Sequence, residues 1–178
     1  HVLNGWAPAK HSAADRLFGR RCLPPAGEMG YNIMIRNDVM LRRRKRMGKR
    51  KIYTGDAACL YRKCRPVERF DARLGALLDD LAETMYAAEG VGLAAPQVGI
   101  LRRAVVIDCG DGLVELVNPE ILETSGEQGC FEGCLSFPGE SGYVVRPNSV
   151  RVRAYDRHGD LYEYEAEGLF ARAVMHET

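Results

Sequence analysis

Glu132-Gly133-Cys134-Leu135-Ser136, read together with the closing pair His176-Glu177, decides what kind of chain this is. A thiolate and an imidazole together hold divalent transition metals, and a glutamate directly after the histidine is placed to move protons at such an ion. In the His-Glu-x-x-His arrangement two histidines one helical turn apart grip the same ion, but here the second would fall beyond Thr178. The residues therefore predict a hydrolytic metal site with Cys134 and His176 in view and a third ligand missing. Taken singly, each has a plainer reading, as a buried cysteine or a surface carboxylate at a helix start.

Around that pair, the 178 residues suffice for one well-buried domain, and an apolar content of 46% is ordinary for a globular chain, so a single core is expected. No run approaches the ~18 apolar residues of a membrane span, and no charged start followed by an apolar stretch marks a secretory leader. A cytoplasmic protein with no membrane partner is the expectation. Because the chain begins at His1 and stops inside a motif, both ends read as cuts in a longer frame.

The net charge of +1 conceals two unlike pieces. Residues 1–51 carry 13 Lys and Arg against 3 Asp and Glu, a balance of +10, whereas residues 52–178 carry 12 against 21, or −9. The basic excess peaks at Arg42-Arg43-Arg44-Lys45-Arg46. Such an arm suits RNA or a ribosomal surface, but no aromatic residues interleave with the charges as a stacking platform needs. A basic, disordered extension over residues 1–50 is the simpler reading. Six cysteines without a secretory leader or a repeating spacing predict free thiols. A four-cysteine zinc site from Cys59, Cys64, Cys130 and Cys134 lacks the usual two-residue gaps.

From Lys51 onward the pattern turns globular, opening with an extended stretch at Lys51–Tyr53. Leu74, Leu77, Leu78, Leu81 and Met85 recur at three- and four-residue steps, with Asp71 as N-cap and Gly90 past the end, which predicts an amphipathic helix. The glycines and proline of residues 90–97 predict a loop or irregular extended segment. Arg103–Asp108 and Leu113–Val117 read as a hairpin around Asp111-Gly112 that ends at Asn118-Pro119. Ser149–Tyr155 and Leu161–Glu165 read as a second hairpin around His158-Gly159. Leu169, Ala173 and His176 at helical steps predict a helix that carries the closing motif.

Three segments now stand in order: Gly90-Val91-Gly92-Leu93-Ala94-Ala95-Pro96-Gln97, Glu132–Ser136 and His176-Glu177. They resemble the three signature motifs of bacterial peptide deformylase, and the resemblance runs from Lys51 to the end, with Arg65-Pro66-Val67 and Arg146-Pro147 included. It implies an α+β fold of antiparallel β-strands around a metal-binding helix, with residues 51–178 as a catalytic domain truncated at its C-terminus. It further implies a metal-dependent hydrolase that removes the N-formyl group from the initiator methionine of nascent polypeptides. Fe2+ would be the ion in the cell, with Zn2+, Ni2+ or Co2+ as substitutes, and the partners would be N-formylmethionyl nascent peptides and, with them, the ribosome.

Carried over residue by residue, the resemblance makes Cys134 and His176 metal ligands and Glu177 the general base and then acid. The side-chain amide of Gln97 and the backbone N–H of Leu135 become the oxyanion donors. Gly90, Val91 and Gly92 become backbone contacts for the substrate peptide, with Glu132 and Gly133 beside them. Val91, Phe137, Leu169 and Ala173 are pocket candidates for the methionine side chain, with Arg172 at its edge. Glu132 and its neighbours would support the metal, while the partner of the second nitrogen of His176 is not assignable from sequence.

The chain departs from the family pattern at Met175, where glutamine is common, and in residues 137–142, which lack an arginine. With the third ligand absent, the polypeptide is expected to hold metal weakly and not to turn over. Two other readings are a general zinc endopeptidase and a basic-arm RNA- or ribosome-binding protein with a degenerate catalytic domain.

Overall fold

The structure is a computed structural model that describes residues 48–178. The expectations for the basic extension lie outside the described residues as far as residue 47.

The leucine periodicity builds helix α1, Ala72–Ala87, in which Leu74, Leu77, Leu78, Leu81 and Met85 are buried. Its start is fixed by Asp71, whose carboxylate accepts the N–H groups of Arg73 at 2.9 Å and Leu74 at 3.3 Å. Those bonds satisfy two donors that a helix start leaves orphaned, so Asp71→Ala is expected to lower stability by about 0.5–2 kcal/mol, visible as a lower Tm. At the other end Gly90 donates its N–H to the Met85 carbonyl at 3.0 Å and turns the chain out of the helix.

Seven strands follow: β1 Gly92–Ala94, β2 Ala104–Ile107, β3 Val114–Ser125, β4 Gln128–Cys134, β5 Phe137–Arg146, β6 Ser149–Tyr155 and β7 Leu161–Glu167. A five-stranded sheet runs β1-β2-β3-β6-β7, and β4 pairs with β5 in a separate two-stranded sheet. All these pairings are antiparallel. The chain closes with helix α2, Gly168–Glu177. The α+β class and both hairpins expected from sequence are present.

All four residues of β2 are buried because both sheet faces are covered there. Ala104 and Val106 point into a cluster with the leucines of α1, Leu93 and Val117. Val105 and Ile107 point the other way, into a cluster with Ala171, Ala173 and Val174 of α2 and with Val150 and Val152 of β6. The sheet is thus clamped between the two helices, and this fixes where α2 lies.

Two expectations are corrected. Asn118-Pro119 does not end β3, which runs on to Ser125 through register shifts between Val117 and Glu120 and between Ile121 and Glu123. The proline has no N–H to give a ladder, and Asn118 takes a left-handed φ of 52° that only a few residue types tolerate. Its side chain repays the interruption by pairing with the backbone N–H and C=O of Val67, at 2.7 and 2.8 Å. The stretch at residues 90–97 is also more regular than expected, since it contains β1 and a 3-10 turn at Ala95–Val98. Cys59, Cys64, Cys109 and Cys134 are free thiols, as expected, whereas Cys130 is disulfide-bonded. Among the described residues no helix is long and apolar enough to cross a membrane.

Candidate active site

Strand β4 alternates, placing Gln128, Cys130, Glu132 and Cys134 on the more covered face. A register shift between Gly133 and Cys134 ends the regular pairing and sets Cys134 opposite Phe137. Helix α2 presents His176 to the same place. The imidazole Nδ1–H donates to Glu132 Oε2 at 2.9 Å, and the Cys134 sulfur stands near enough to the same ring to raise its pKa. The sulfur and ring expected to share an ion are thus neighbours.

Glu132 supplies the partner that sequence left unassigned. Arg146 grips it with a two-pronged pair, Nε to Oε1 at 2.7 Å and Nη2 to Oε2 at 2.8 Å, and Arg172 adds a further bond to Oε1. Burial opposes ionisation of this carboxyl, but the bonds from His176 and Arg146 outweigh it and hold the pKa at about 2. Both oxygens are thus committed to protein donors. Burial alone would depress the His176 pKa, yet its bonds to Cys134 and Glu132 win and raise it to about 10 when no cation is present. A cation must displace that proton, so uptake releases protons and weakens as pH falls.

Gln97 sits 2% exposed in the 3-10 turn. Its Oε1 accepts the Ala94 N–H at 2.8 Å, which fixes the amide so that Nε2 points toward Cys134 Sγ at 3.7 Å and Ser136 Oγ at 3.1 Å. Leu135 is half-buried against the α1 cluster. A Cβ on Gly90 would stand 2.7 Å from Leu135 Cδ1, so that glycine lets the first and second motifs touch.

Glu177 follows His176 and is 7% exposed, and its Oε2 has no hydrogen-bond partner. Burial is the main cause of a pKa raised to about 7, against the pull of His176 and Arg146. A Cβ on Gly92 would lie 2.7 Å from Glu177 Oε1. Gly92 is therefore the floor of the slot that holds this carboxylate. Gly92→Ala is expected to displace Glu177 and lower kcat more than it raises KM, with little change in Tm; an unchanged kcat would contradict this packing.

The remaining expected residues are spread more widely. The Gly90 N–H is used by Met85 and the Val91 carbonyl accepts Asp108 N–H at 2.8 Å, so these two groups serve the fold. Val91 is 47% exposed beside the site, and Gly133 is exposed on β4. Leu169 is half-buried at the start of α2, and Ala173 is packed into the sheet-side core. Ser136 and Arg146 were not singled out for the site from sequence. The Arg146-Pro147 pair was visible, but nothing in its spacing pointed to Glu132.

The residues present suit a cation. A sulfur and an imidazole nitrogen converge, a carboxylate oxygen without a partner is buried beside them, and this soft donor set fits first-row transition ions. Among the described residues no group of three or more His, Cys, Asp and Glu side chains forms a cage. An amide nitrogen aimed at the same point completes the layout of a metal-dependent amide hydrolase.

Comparison with known proteins makes this specific. The family model for polypeptide deformylase matches residues 49–178. The peptide deformylase of Caldicellulosiruptor bescii is 56% identical over 131 residues, 74% of this chain and 79% of that protein. Peptide deformylase 1 of Bacillus subtilis is 52% identical over 133 residues, 74% and 83% of the two chains. The crystal structure of the Thermotoga maritima peptide deformylase superposes with a TM-score of 0.72 at 40% identity, covering 73% of this chain and 89% of the other. That of the Synechococcus elongatus enzyme in complex with actinonin gives 0.69 at 38%, covering 71% and 72%. The chain belongs to the polypeptide deformylase family, metal-dependent hydrolases that remove the N-formyl group from nascent polypeptides.

Proposed function

We propose that this chain deformylates the N-formylmethionyl end of nascent peptides in the cytoplasm, with Cys134 and His176 as its metal ligands, Glu177 as base and then acid, and Gln97 and the Leu135 N–H as oxyanion donors. The observation that carries this reading is the meeting of Cys134, His176 and the Gln97 amide beside a buried carboxylate oxygen with no partner. When bound, a divalent cation supplies Lewis-acid polarisation of the formyl oxygen and lowers the pKa of water. Fe2+ is the proposed native ion, with Zn2+, Ni2+ and Co2+ able to replace it.

The remaining work falls to the chain. Glu177 accepts a proton from the attacking water and delivers it to the departing amine, for which a raised pKa suits both roles. Gln97 Nε2, held by the Ala94 bond, donates to the oxygen as negative charge grows on it. Glu132 orients His176 by fixing Nδ1 as donor, which turns the other ring nitrogen toward the ion. The substrate peptide lies along β1, which is an edge of the five-stranded sheet and so offers unpaired backbone groups at Gly92 for strand addition. Val91, Phe137 and Leu169 remain the proposed apolar wall for the methionine side chain, whereas Ala173 is taken up by the sheet-side core.

Hydrolysis of a formylmethionyl peptide beside its unformylated counterpart tests the reaction itself. Release of formate from the first alone supports the reading, while internal cleavage of the second points to an endopeptidase.

A further inference from the structure

Helix α2 meets strand β4 through polar side chains one helical turn apart, Arg172 and His176. Arg172 and His176 are four helix residues apart, an advance of about 6 Å. Glu132 and Cys134 are two strand residues apart on one face, about 6.6 Å. The two steps are alike, and Glu132 takes bonds from both helix residues, Arg172 on Oε1 and His176 on Oε2, with Cys134 beside the same ring.

The Arg172 contact is built to be stiff. The side chain is 6% exposed, and besides Glu132 its guanidinium donates to the Gln128 carbonyl at 2.8 Å and the Val144 carbonyl at 3.2 Å. It thereby ties α2 to both strands of the β4–β5 hairpin. Arg146 cannot take over this task, because it stands on β5 and its pair with Glu132 stays within the hairpin. Its link to the helix is one bond to the Met175 carbonyl at 3.1 Å. Leu135, between the two strands, packs against the α1 cluster, and the bonds from β4 and β5 to α2 are polar, so these bonds set the register of hairpin against α2.

We infer that Arg172 is a positioning residue for the metal pair: through Glu132, Gln128 and Val144 it sets the register of α2 along β4 and so the approach of His176 to Cys134. This rests on the reading of Cys134 and His176 as ligands. It goes beyond a place at the edge of the methionine pocket. A residue that only added stability would lower the melting temperature without altering how the two ligands meet at temperatures well below it.

The test is a cobalt(II) titration of the metal-free 178-residue chain and its variants, reading the dissociation constant and the thiolate-to-cobalt charge-transfer absorption, with melting curves alongside. Arg172→Met preserves length and removes the fork. It is expected to weaken cobalt binding about 10–100-fold at temperatures where it is fully folded, the range typical of outer partners of metal ligands. Arg172→Lys keeps the charge facing Glu132 but not the reach to Gln128 and Val144, and is expected to fall between parent and Met variant. A folded Arg172→Met protein that binds within about twofold of the parent, with the same absorption, would overturn the inference. Should that variant not fold, Arg172→Lys decides, and parental affinity there would overturn it equally. If Cys134→Ser leaves cobalt binding untouched, the ligand reading has failed instead, and the two failures are told apart.

Discussion

Glu177→Gln is expected to lower kcat for a formylmethionyl peptide by roughly 10²–10⁴-fold, the usual share of a positioned proton-transfer group, with KM and bound metal near parental values when the ion is in excess. The glutamine is nearly isosteric, so it should fill the slot over Gly92 without disturbing His176. What it lacks is a site for the proton. The same variant carries a pH signature in the metal-free protein. Glu177 has its pKa raised by burial from 4.5 to about 7, so the folded form holds a proton that the unfolded chain has released across that window. Stability attributable to this group is fully present below pH 4.5 and is lost as pH rises through about 7, on the order of 3 kcal/mol in all. Glu177→Gln should therefore gain stability relative to the parent at pH 8 compared with pH 4, measured as the difference in denaturant midpoints. Parental kcat in this variant would remove Glu177 from the chemistry.

The second large effect is expected at Gln97. Loss of one oxyanion donor raises the barrier by about 2.7–4 kcal/mol, a fall of roughly 10²–10³ in kcat. Gln97→Ala also deletes the bond to the Ala94 N–H and some packing in a buried turn, so a loss there mixes two causes. Gln97→Glu separates them. It keeps an oxygen for Ala94 and replaces the donor with an acceptor facing Cys134 and Ser136. Comparable losses of kcat in both variants would mark the amide N–H as the functional group. A Glu variant with parental turnover would contradict the role.

How far the sequence was readable follows from what kind of signal each part carries. Helix α1 was plain because its leucines repeat at the helical period and Asp71 is a strong cap. Strands β2, β6 and β7 were plain because a β-branched run, Arg-Val alternation and Tyr-Glu alternation, in that order, reveal a covered or half-covered strand. The β4–β5 hairpin was hidden: Gly129, Gly133, Gly139 and Gly142 dilute the alternation, and its covered face carries Gln128, Glu132 and Cys134 where a core strand would carry valine. Those same residues build the site. The run through Asn118-Pro119 reads as a strand end because the bulge is held by Val67, a contact across the fold that local sequence does not announce.

The motif residues were legible as candidates, but their mutual arrangement was not. Cys134 and His176 advertise a cation by residue type, whereas the orienting partner of His176 could not be read from spacing, since Glu132 reaches it only once α2 lies against β4. Ser136 and Arg146 gave no chemical signal of their own. Their parts follow from geometry, one beside the Gln97 amide and the other gripping Glu132.

In the proposed enzyme one sulfur and one imidazole nitrogen of this chain share an ion. X-ray absorption at the zinc edge, on the protein loaded with just under one equivalent of zinc, tests it most directly. Expected are one sulfur at about 2.3 Å and one nitrogen at about 2.0–2.1 Å, with oxygen filling the rest of the shell, and loss of the sulfur component in Cys134→Ser. A shell of oxygen and nitrogen alone in the parent protein, or a sulfur component that survives Cys134→Ser, would contradict it.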